Sequence, residues 1–146
     1  MNIVREIFYN LGKQDALLLR EEARNLTDTE IIARENAIPN FDPNKDYSSW
    51  PAHAPVKDKE QVWLLLQPYN AAHYQGRPMD LPALWGLTHT TNPDHAKPWV
   101  SPLGTSGMYM TGECYVDENG IVWKCLNDNT VHTAAAYPVG WEQVGE

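Results

Sequence analysis

A chain of 146 residues has room for one ordinary domain or two very small ones, and small units bury a small fraction of their surface. Six Trp and seven Tyr against two Phe favour rings with a polar handle, which suit half-exposed faces and ligand platforms as much as an oily core. A formal charge of −8, a pI near 5.0 and the lack of any Lys/Arg cluster argue against nucleic acid as a partner.

The amino terminus, MNIVREIFYNLGKQD, lacks a basic start followed by an apolar run, and no apolar stretch reaches the ~18 residues that would suggest a membrane span. The expectation is a soluble protein made in the cytoplasm without a cleaved signal. Ile3, Ile7, Phe8 and Leu11 are spaced to share one helical face, and such a stripe needs a partner. Gly12 is expected to divide or kink this stretch. The run Leu26-Thr27-Asp28-Thr29-Glu30-Ile31 then carries an N-cap Thr27, a capping-box Glu30 and staple positions at Leu26 and Ile31. It predicts a helix from about Asp28 to Ala37, stopped by Pro39 because the residue before a proline is pushed out of the helical region.

From this point the composition turns to Pro, Asn, Asp, Tyr and Trp, and the eleven prolines concentrate here, which predicts short strands and ordered loops. The predicted units are a helical docking or oligomerisation segment (1–40) and two β modules (41–97 and 98–146). Two segments echo each other. Asp58-Lys59-Glu60-Gln61-Val62-Trp63-Leu64-Leu65-Leu66 is followed by Pro82-Ala83-Leu84-Trp85; Asp117-Glu118-Asn119-Gly120-Ile121-Val122-Trp123-Lys124-Cys125-Leu126 is followed by Pro138-Val139-Gly140-Trp141. Both read as a turn, a Val-Trp strand, a loop containing Asn, and a closing P-x-x-W: a degenerate duplication, or chance recurrence in a Trp-rich chain.

Asn119-Gly120 is the preferred dipeptide for a tight hairpin. A two-residue loop would set Glu118 opposite Ile121, Val116 opposite Trp123 and Cys114 opposite Cys125. Cys114, Val116, Ile121, Trp123 and Cys125 would then share the core face, with Tyr115, Val122 and Lys124 outward. A four-residue loop, Asp117 to Gly120, would shift the pairing and separate the cysteines. The two readings of Cys114 and Cys125 are therefore a cross-strand disulfide and two small buried thiols.

Taken in order, Trp99, Tyr109-x-x-Gly112-Glu113, Asn119-Gly120-x-x-Trp123-x-Cys125-Leu126 and Tyr137-Pro138-x-Gly140-Trp141-x-x-Val144 resemble the chitin-binding type of carbohydrate-binding module. The resemblance covers about the last 48 residues; the earlier WLLLQPYNAAHYQGRPMDLPALW is similar to a version seen in tandem in phage and prophage tail proteins. It implies an α+β protein, an N-terminal helical segment followed by two small, mainly antiparallel β modules of three short strands each. It further implies a non-catalytic tail- or baseplate-associated virion protein that presents its modules to host polysaccharide. Other virion proteins, or further copies of the chain with a trimer among the candidates, would be held through residues 1–40. Many members carry an exposed Trp-Pro in the loop after the third strand, where this chain has Asn129-Thr130-Val131-His132-Thr133-Ala134. That departure favours an alternative in which the modules dock proteins within the virion without binding sugar.

The candidate ligand-binding residues are Tyr109, Tyr115, His132, Tyr137 and Trp99; Trp63, Trp85, Trp123 and Trp141 are expected to fill the cores, because modules this small need large rings inside. His53, His73, His89, His95 and His132 lack the short-spaced pairs of a metal site, so neither metal nor cofactor is expected. No spacing singles out a carboxylate pair among Asp80, Asp94, Asp117 and Glu118, and no nucleophile-base pair stands out, so no catalytic residue is assigned.

Overall fold

The first helix, α1 (Ile3–Glu22), is continuous across Gly12, which was expected to divide or kink it. A single interior glycine costs a helix only about 1 kcal/mol, and the neighbouring turns carry it. The computed structural model describes residues 3–104 and 106–145, with the backbone alone for 3–12. The stripe of Ile3, Ile7, Phe8 and Leu11 therefore lies outside the described side chains. Further along α1, Leu19 is buried while Leu17 and Leu18 are about half exposed.

A 3-10 turn (Ala23–Asn25) leads into α2 (Asp28–Ala33). Its capping box is formed: the Thr27 amide donates to Glu30 Oε1 at 2.9 Å, and the Glu30 amide to Thr27 Oγ1 at 3.2 Å. Leu26 and Ile31 pack in one cluster, as a staple requires. α2 stops four residues before the expected Ala37. Arg34 leaves helical geometry at φ −107°, Glu35–Ala37 tightens to a 3-10 turn, and Ile38 is extended ahead of Pro39.

The first sheet consists of β1 (Pro55–Asp58), β2 (Gln61–Leu65) and β3 (Trp85–Leu87), all antiparallel in the order β1-β2-β3. Every residue of β2 is buried. Val62 and Leu64 meet Leu19, Ala23, Ile31, Ile32 and Ile38 of the helical head. Trp63 and Leu65 meet an aromatic core of Phe41, Tyr47, Trp50, Tyr69 and Trp85. Layers on both faces explain why the strand is apolar without alternation from Val62 to Leu65. At the core centre Trp85 is wholly buried, edge-on to Tyr47 at 5.4 Å, and its indole N–H donates to the Tyr69 hydroxyl at 2.8 Å.

The second sheet has four strands, one more than expected: β4 (Lys97–Pro98), β5 (Cys114–Val116), β6 (Val122–Cys125) and β7 (Trp141–Val144), in that order. β4 is a two-residue edge strand lying parallel to β5, where Pro98 can dispense with a ladder N–H; the other pairs are antiparallel.

The hairpin between β5 and β6 takes neither expected register. Tyr115 pairs with Trp123, Val116 with Val122 and Cys114 with Lys124, around a loop of Glu118, Asn119 and Gly120. Asp117 O accepts from the Gly120 amide at 3.0 Å, and Gly120 takes φ +80°, the left-handed position that closes a three-residue loop. This one-residue difference from the two-residue loop turns Tyr115 inward beside Cys125 and puts Cys114 on the other face. Both cysteines are buried and free.

The two sheets share a register around their tryptophans. Leu65 pairs with Trp85 and Trp63 with Leu87, as Cys125 pairs with Trp141 and Trp123 with Gln143. Between the sheets, Gln61 Nε2 donates to Pro98 O at 2.7 Å, and the Cys114 amide to Thr90 O at 2.8 Å. Among the described residues no helix is long and apolar enough to cross a membrane.

Candidate functional site

The three-residue hairpin loop builds one wall of a groove in the second sheet. Asp117 Oδ1 accepts from the Asn119 and Ile121 amides, each at 2.9 Å, which shapes the turn. Its Oδ2 accepts from the Trp123 indole N–H at 2.9 Å, which orients that ring. The Trp123 bond, ahead of the two amides, holds the Asp117 carboxyl below the usual range. Trp123 is left half-buried, packed against the edge of the core rather than sealed in it.

Across the groove stands Trp99, stacked on Tyr109 with centroids 4.9 Å apart and planes 8° from parallel. Its indole N–H donates to Ser101 Oγ at 3.3 Å. Buried Tyr115 forms the base, its hydroxyl accepting from the Ala134 amide at 2.9 Å, and this bond ties the 133–135 loop to the groove. The resulting space is about 630 Å³, bordered by Trp99, Trp123, Tyr115, Glu118, Asn119 and Thr133. Two half-exposed indoles with carboxylate, amide and hydroxyl groups between them can hold a flat-faced polar ligand by stacking and hydrogen bonding.

Of the candidate binding residues, Trp99 and Tyr115 border this groove, and Tyr109, His132 and Tyr137 do not. Tyr109 and Tyr115 are 1 % and 3 % exposed, so the outward orientation expected of Tyr115 is corrected by the register, and Tyr109 is the centre of the core. Tyr137 is exposed, but its ring lies on Gly140, where an added Cβ would come within 2.5 Å of it. His132 is exposed and contributes its carbonyl, which accepts from the Trp141 indole N–H at 2.8 Å. Trp63, Trp85 and Trp141 are buried, whereas Trp123 is a groove wall. Sequence reasoning passed over Glu118 and Asn119 as mere turn residues. The order Asp117…Trp123, a carboxylate placed to hold an indole across a short turn, is the local signal that could have found them.

A second groove, of about 590 Å³, lies between the sheets and is mainly apolar, with Met79, Trp85, Leu87, Leu103 and the same Trp99 on its walls. Among the described residues no group of three or more His, Cys, Asp or Glu side chains converges as a metal site would require. No protein-family model matches the chain, and no curated protein is significantly similar to it.

Proposed function

We propose that the chain is a non-catalytic, phage-tail-associated protein that binds host-surface glycan in the Trp99–Trp123 groove. The observation that carries the sugar reading is the pair of half-buried indoles flanking a polar-rimmed groove. An aromatic face buries the apolar face of a pyranose while the rim satisfies its hydroxyls. Asp117 is committed to two amides and an indole N–H, which favours a binding role over an acid-base one. The virion setting rests on the resemblance of residues 63–85 to the version of the module seen in tandem in phage and prophage tail proteins. Assembly with other copies, or with other tail proteins, is assigned to the amino-terminal segment, where α1 leaves Leu17 and Leu18 about half exposed.

Polysaccharide pull-down and calorimetry with soluble oligosaccharides test the site. Trp123→Ala should abolish binding, whereas Tyr137→Ala, outside the groove, should leave it intact. Absence of binding across polysaccharides would remove the sugar reading.

One observation favours a protein-docking role instead. The groove between the sheets is mainly apolar, and Leu103 at its edge is more than half exposed, a surface better matched to a protein side chain than to a sugar. Stoichiometric co-purification with tail proteins that is lost in Leu103→Asp, with no glycan binding, would select this reading.

A further inference from the structure

The groove has a charge pattern that its aromatic walls do not require. Its lining includes the carboxylates of Asp117 and Glu118 and no Lys, Arg or His. Asp117 is already engaged by three N–H donors. Glu118, exposed at the hairpin tip, makes no hydrogen bond or ion pair among the described residues. An uncharged carboxylate partner such as a sugar hydroxyl would suffice to hold a neutral glycan, and an anionic one would meet two carboxylates on a chain of net charge −8.

We propose that Glu118 is the specificity-determining residue of this groove and selects a hexosamine with a free, protonated amino group over its acetylated or hydroxylated counterpart. This rests on the glycan reading of the groove. The preference requires a sugar ring that lies along Trp123 with its C2 edge at the hairpin tip, beside Glu118. An ammonium there meets the Glu118 carboxylate. An acetamide or a hydroxyl keeps the stacking and loses this charge interaction. Anionic glycans, whether uronic or phosphorylated, are repelled. Because Glu118 is exposed, water and salt screen the gain, which amounts to about fivefold in affinity at low ionic strength.

The test is calorimetry at mildly acidic pH and low salt with three β-1,4-linked glucose-backbone oligomers of equal length that differ only at C2: ammonium, acetamide or hydroxyl. The ammonium oligomer should bind about fivefold more tightly than the other two. Glu118→Gln should erase that preference without weakening the acetamide oligomer, and Glu142→Gln, outside the groove, should preserve it. Trp123→Ala should abolish binding of all three. Trp123-dependent binding with no ammonium preference, or a preference that survives Glu118→Gln, overturns this inference and leaves the glycan reading standing. Attraction of the ammonium oligomer that persists in Trp123→Ala is non-specific charge pairing and also overturns it. If none of the oligomers binds, the inference falls, and the glycan reading loses its glucose-backbone ligands with it.

Discussion

The imidazole of His89 lies face to face with the phenol ring of Tyr109, with centroids 3.7 Å apart and planes 21° from parallel. His89 follows the last strand of the first sheet, and Tyr109 is the central ring of the second core, so this contact joins the two. His89 Nε2–H donates to Gly107 O at 2.9 Å, and the His89 amide donates to Asp28 Oδ2 at 3.4 Å. Trp99, which walls the candidate groove, also stacks on Tyr109. The groove therefore stands on the junction between the sheets.

Burial holds the His89 imidazole at about 4, below the ordinary value of 6.5. In that interval the unfolded chain binds more protons than the folded one. The stability contribution is therefore complete above pH ~6.5 and is lost as pH falls toward ~4. Asp28 and Glu113, whose carboxyls burial pushes up, act in the opposite sense. Denaturation curves at neutral and acidic pH should show the wild type losing roughly 3 kcal/mol more than His89→Gln across this window. Parallel pH profiles for the two proteins would show that His89 binds its proton as readily in the fold as in the unfolded chain.

Tyr69→Phe removes the hydroxyl that accepts from the buried Trp85 N–H. Leaving a buried donor unpaired costs about 1–3 kcal/mol, with little change in packing volume. Urea unfolding should register this loss, while the double variant Tyr69→Phe/Trp85→Phe trades it for a volume defect. A wild-type midpoint for Tyr69→Phe would mean the indole finds water.

The hairpin between β1 and β2 places Lys59 and Glu60 at φ +51° and +66°, a conformation that suits Asn and Gly far better. Lys59→Asn/Glu60→Gly should raise stability by about 1 kcal/mol. In the other hairpin, Gly120→Ala has open space for its Cβ and fails only on φ +80°, so it should lower stability by about 1 kcal/mol. Equilibrium unfolding of the two variants should move in opposite directions.

Cys114 and Cys125 occupy neighbouring strands but opposite faces, paired with Lys124 and Trp141 respectively. Both are buried, and burial pushes the Cys114 thiol above its usual range. Protein kept in air should retain two thiols. They should react slowly with an aromatic disulfide reagent when native and at once when denatured. An intact mass lower by two hydrogens would reveal a bridge and refute the register.

Part of this was legible because its causes are local. Thr27 and Glu30 cap α2 through bonds spanning three residues, Pro39 ends the helical head through its own ring, and the succession of a helical head and two small antiparallel sheets follows from these markers and the Val-Trp strands. The parity of the second hairpin was not legible. Asn119-Gly120 invites a two-residue turn, yet the chain makes that turn at Lys59-Glu60 and a three-residue one here. The Asp117 carboxylate holding Trp123, and the demand that Tyr115 rather than Val116 join the rings of Tyr109 and Trp141, outweigh the dipeptide preference. A shift of one residue exchanges the faces of a strand. It therefore moved Tyr115 from surface to core, separated the cysteines, and made Trp123 with Glu118 a groove. Amino-acid order alone determined which rings this protein owns and where its helices begin. Which rings face solvent was decided only when the sheets closed on a shared core, because that choice depends on contacts between residues far apart in the chain.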